Sequence, residues 1–122
     1  MNSGVLRTMQ ALAANLPIRV LQPDQVLFHA GDPGESIFCV LSGAVDLRWG
    51  EDQSETFLAG DVVGVGALVS DHHQRHGTAT ARTATELIAM NREHFLFAVQ
   101  EMPMFAIELM ASLERRLRDL EG

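Results

Sequence analysis

The spacing of apolar residues changes character twice along the chain. Over residues 4–16, Val5, Leu6, Met9, Leu12, Ala13 and Leu16 recur three and four positions apart, which predicts a short amphipathic helix ended by Pro17. From 18 to about 90 the pattern shortens to β-prone runs at 19–21, 26–29, 36–41, 44–49, 55–58, 62–63, 77–82 and 86–90. Turn residues separate them: Pro23-Asp24, Gly31-Asp32-Pro33-Gly34, Ser42-Gly43, Gly50-Glu51-Asp52 and Gly60-Asp61. Short strands at regular spacing with glycine turns predict an antiparallel sandwich or barrel. Beyond Met90 helical spacing returns. Asn91 suits the N-cap of a helix over 92–99, and Pro103 the first turn of another over 103–120.

The last helix carries a second pattern. Ala106, Met110, Leu113, Leu117 and Leu120 lie four, three, four and three residues apart, the heptad spacing of a coiled-coil seam, and Ile107 and Leu109 widen it. Such a stripe packs on its own barrel, on a second copy of the chain, or on both in turn along its length. The expectation taken forward is a homodimer through this helix.

At 122 residues the chain has the length of one domain, 1–122, with 47% hydrophobic and 20% charged residues. No run approaches the ~20 apolar residues of a membrane span and no secretory signal opens the chain, so a cytoplasmic location is expected. Cys39, the single cysteine, lies within the apolar run 37–41 and reads as a buried, inert thiol. Net charge is -7, and the nine basic residues are all arginine, dispersed among sixteen acids. Direct nucleic-acid binding, which needs a basic face, is not expected.

The segment 28–47, Phe-His-Ala-Gly-Asp-Pro-Gly-Glu-Ser-Ile-Phe-Cys-Val-Leu-Ser-Gly-Ala-Val-Asp-Leu, resembles the cyclic-nucleotide-binding domains, the family of the catabolite activator protein and of cyclic-nucleotide-regulated kinases and channels. Gly60-Asp61-Val62-Val63-Gly64-Val65-Gly66-Ala67-Leu68 is similar to the family's phosphate-binding cassette, and the likeness extends over roughly 18–120. It implies a mainly β fold with flanking helices: a double-stranded β-helix, or jelly-roll-like β-roll, over 18–90, with an N-terminal helix and two C-terminal helices.

In the family, backbone amides at the start of the cassette helix and one arginine bind the cyclic phosphate, and a glutamate accepts from the ribose 2′-OH. The resemblance carries the cassette glycine to Gly64, amides near the phosphate to Val65, Gly66 and Ala67, and the arginine to Arg75, beside His76 and Gly77. The glutamate position holds Val65. A hydrogen bond to a charged acceptor is worth about 1.5–3 kcal/mol, so its loss implies binding of cAMP or cGMP weaker by roughly ten- to a few hundred-fold.

Three functions follow as expectations. The first is a non-catalytic regulatory module that binds a cyclic nucleotide or related anion and relays occupancy through the last helix. The second is a degenerate domain acting only in dimerisation. The third is a cupin-like metal-dependent enzyme using Asp71, His72, His73 and His76, or His29. Against the third, the cupin pattern needs paired histidines one residue apart, and His29 stands alone; no metal is expected. No nucleophile elbow, P-loop or His-Glu-x-x-His run is present, so no enzyme activity or catalytic residue is expected. Trp49, Phe28, Phe38, Leu41, Leu47 and Phe57 read as core.

Overall fold

A computed structural model of the chain describes residues 3–69 and 74–121. Eight strands, β1 (Ile18–Leu21), β2 (Val26–Phe28), β3 (Ser36–Ser42), β4 (Ala44–Trp49), β5 (Gln53–Leu58), β6 (Val62–Val63), β7 (Thr78–Ala81) and β8 (Thr85–Asn91), build two four-stranded sheets. Their orders are β1-β8-β3-β6 and β2-β7-β4-β5, and every pairing is antiparallel. The helices are α1 (Ser3–Leu12), α2 (Gly66–Val69), α3 (Arg92–Glu101) and α4 (Met104–Glu121). This is the mainly β roll with an N-terminal helix and C-terminal helices that the turn spacing and the resemblance imply.

The two faces of the first sheet explain why β3 reads as an unbroken apolar run. Phe38 and Val40 point into the roll against Leu27, Phe28, Val45, Leu47 and Phe57. Ile37 and Cys39 point outward, where α1, α3 and α4 cover them with Met9, Ala98, Phe105 and Leu109. A sheet buried on both faces loses the alternation that marks a half-exposed strand. Cys39 is buried, and desolvation pushes its pKa up to about 12. Trp49, half-buried, packs against the inner core, and Leu41 against the outer one.

Element ends differ from the sequence pattern for local reasons. α1 stops at Leu12, four residues before the apolar spacing does, because a turn closed by Asn15 N–H on Leu12 O follows it and Leu16 precedes Pro17. Leu16 nevertheless packs against the outer core. β5 begins at Gln53 rather than residue 55, since the β4–β5 ladder runs to the pair Trp49 and Gln53. β2 ends before His29, whose N–H donates to Asp32 Oδ2 at 2.9 Å. α3 extends to Glu101; Asn91 caps it, its side chain accepting from His94 N–H at 2.8 Å while the His94 side chain accepts from Asn91 N–H.

Candidate functional site

The residues that the resemblance singles out fall around two adjoining recesses at one end of the roll. The larger, of about 360 Å³ and open to solvent, is lined by Leu47 and Phe57 of the inner core, by Gly64 to Gly66, and by Leu113, Leu117 and Leu120 of α4. The smaller, of about 20 Å³, is bounded by Gly64, Gly66, Ala67, Arg75 and His76. That volume has room for about one water and not for a phosphate.

Arg75 explains why the smaller recess is closed. It is only 9% exposed. Its guanidinium stacks on the Phe28 ring at 4.3 Å, with Phe38 at 5.6 Å, and donates from Nη2 to Ser36 O at 2.7 Å and from Nη1 to Gly64 O at 3.3 Å. Nε is buried without a hydrogen-bond partner among the described residues. Burial lowers the pKa of this guanidinium, and the charge of Asp32 opposes the shift in part. The backbone of Arg75 is fixed by two bonds: its N–H donates to Asp32 O at 2.8 Å, and its carbonyl accepts from Gly31 N–H at 2.7 Å.

Two glycines make the space. A Cβ on Gly34 would run into Nε and Cζ of Arg75, and one on Gly64 would lie 2.6 Å from Nη1. Gly64 also has φ +87°, a left-handed conformation open chiefly to glycine. Gly34 was legible only as a turn residue; nothing local in the sequence ties it to an arginine 41 positions on.

In the cassette, Val65 is half-buried and lines the larger recess, and Gly66 opens α2. Ala67 N–H donates to Gly64 O at 3.0 Å, which commits that amide to the turn. Arg92 Nη1 donates to Leu68 O at 2.8 Å and so ties α2 to the start of α3. His76 is exposed and meets the Trp49 ring edge-on, centroids 6.2 Å apart. Asp71, His72 and His73 lie outside the described residues; among those described, no group of three or more His, Cys, Asp or Glu is placed to hold a metal.

On α4 the buried face is not the heptad seam. Phe105, Leu109 and Ser112 face the outer core, whereas Met110, Leu117 and Leu120 are 56%, 60% and 60% exposed, and Ala106 and Leu113 half-buried. The seam is offset by about one position because the helix enters at Phe105, wholly buried against Phe95. The same series continues to Arg116, which sequence reasoning missed. It donates from Nε and Nη2 to Glu55 Oε2 at 3.1 and 2.8 Å, from Nη1 to Asp61 Oδ2 at 3.1 Å and from Nη2 to Thr56 O at 3.1 Å. Its Cζ lies 3.7 Å from the Phe57 centroid. The spacing 105, 109, 112, 116 was the available signal, hidden by an arginine where a leucine stripe was sought.

A roll of this topology, with a glycine-opened four-residue helix facing a buried arginine, defines the class. The chain matches the family of the cyclic nucleotide-binding domain over residues 18–102, and it belongs to that family. It is 32% identical over 108 residues to the cyclic AMP receptor protein of Thermus thermophilus, across 84% of this chain and 50% of that protein. It is 34% identical over 102 residues to lysophospholipase NTE1 of Chaetomium globosum, across 79% of this chain and 7% of that enzyme. The solved structure of a protein from a cyclic-GMP-dependent pathway regulating bacterial phytopathogenesis aligns with TM-score 0.77 at 28% identity, over 97% of this chain and 95% of that one. The chain therefore spans half the length of the Thermus relative and a small part of the fungal one. No single helix among the described residues is long and apolar enough to cross a membrane.

Proposed function

We propose that the chain is a non-catalytic regulatory module that binds a cyclic nucleotide or a related anion and reports occupancy through α4. The observation that carries this reading is Arg75: a cation nine-tenths buried, whose Nε has no partner among the described residues, beside an open recess of about 360 Å³ that α4 borders. Among the described residues no carboxylate lies in hydrogen-bond reach of this guanidinium, and a buried arginine so placed is costly unless an anion completes it at some stage of its cycle. Val65 provides no acceptor for the ribose, so cAMP and cGMP bind weakly. Relay through α4 requires that the ligand favour one α4 position over another. The exposed stripe of Met110, Leu117 and Leu120 supports a homodimer through α4.

A second reading, a degenerate domain that only dimerises, is favoured by one fact: Arg75 already spends both Nη groups on carbonyls, in a recess of about 20 Å³. Isothermal titration with cAMP and cGMP separates the two. Saturable binding that Arg75→Ala abolishes supports the sensor; heat-silent titrations, with no change of melting temperature at millimolar nucleotide, support the scaffold.

A further inference from the structure

A nucleotide anchored at Arg75 would meet no acceptor at Val65, yet the larger recess has a carboxylate elsewhere. Along β5 the side chains alternate, so Glu55 shares a face with Phe57, and in the ladder it stands opposite Leu47. Leu47 and Phe57 belong to the inner core. Glu55 is thus an acid on the inward face of the roll, at a position where the pattern calls for an apolar residue, and it lines the same recess as Gly64 and Val65.

Arg116 balances its charge, and both Arg116 bonds fall on one oxygen, Oε2. The side chains of the pair are 17% and 19% exposed. A pair so shielded gains little stability over apolar residues of the same volume, because desolvation offsets the attraction. Fold stability alone therefore does not account for a carboxylate here.

Resting on the reading above, we propose that Glu55 is the second pole of the ligand site. Its Oε1 accepts a hydrogen bond from a hydroxyl or amino group of a ligand whose anionic group lies at Arg75, supplying the acceptor that Val65 cannot. Arg116 holds Glu55 in place and belongs to α4, so a ligand donor at this pole bears directly on the pair that ties α4 to the barrel.

The test is calorimetric titration of the intact protein with cAMP, with 2′-deoxy-cAMP, which lacks the ribose hydroxyl, and with cyclic IMP, which lacks the exocyclic amine. The wild type is expected to bind one of the two analogues about ten- to a hundred-fold more weakly than cAMP, and the one that weakens identifies the donor. Glu55→Ala is expected to bind all three alike while still melting cooperatively. Should that variant not fold, Glu55→Gln reads the same quantity, its neutral acceptor shrinking the preference several-fold. A wild type that binds all three equally, or a Glu55 variant that keeps the full preference, overturns the proposal and leaves nucleotide binding at Arg75 intact. A wild type that binds none at millimolar concentration overturns both.

Discussion

A methyl group on Gly34 has no room, since the Arg75 guanidinium lies where it would project. Gly34→Ala should therefore expel that side chain and forfeit its bonds to Ser36 and Gly64, at a cost of about 1–3 kcal/mol measured by urea melts, and abolish any binding that depends on Arg75. Asp46 shows the opposite economy, a charge made comfortable. Burial would raise its pKa, but hydrogen bonds from Arg82 and Thr56 and the charges of Arg82 and Arg48 prevail and lower it. A depressed carboxyl pKa stabilises the fold above the unfolded value of about 3.9 and stops doing so as pH falls through the folded value. Asp46→Asn should thus cost up to about 1 kcal/mol at pH 7, Arg82 being 58% exposed, and nothing measurable near pH 2. The two residues also mark what a sequence can disclose. Arg75 and Gly64 were singled out through the resemblance to the family's cassette; Gly34, Glu55 and Asp61 were not, because their roles arise from contacts across 41, 61 and 55 positions with Arg75 and Arg116.

At the scale of elements, the succession of short strands and the flanking helices were legible because short β-prone runs alternate with turn residues, and Asn91 and Pro103 mark the helix starts. The order of the strands within the two sheets was not, because it rests on pairings between distant runs. The angular setting of α4 escaped too. Heptad spacing and core-facing spacing both advance by three and four, and they differ here only by a one-residue offset that the entry of Phe105 decides. Beyond Leu113, the ties of α4 to the barrel run through Arg116, which touches Glu55, Asp61, Thr56 and Phe57. Arg116→Ala should remove the cation that Glu55 faces and cost about 2 kcal/mol. Hydrogen exchange should report the change as faster amides over 113–120, with the β3–β8 ladder left protected.

For the molecule as a whole, the exposed stripe on α4 makes a quantitative demand. Met110, Leu117 and Leu120 each present more than half of their surface. Sedimentation velocity should find a dimer at micromolar concentration, and Leu117→Glu should convert it to monomer without lowering the midpoint of the urea transition measured at low protein concentration. A monomeric wild type would assign that face to some other use.

The chain bends by 115° between α3 and α4, across the short break at Met102 and Pro103. Such an elbow turns a small rotation into a long stroke. The 18 residues of α4 make a rod of about 27 Å, so a swing of about 5° at Pro103 would carry its far tip roughly 2 Å. At Arg116, about 20 Å from the pivot, the same swing amounts to about 1.7 Å, enough to carry its 2.8 Å bond to Glu55 beyond hydrogen-bond reach while Phe105, beside the pivot, scarcely stirs.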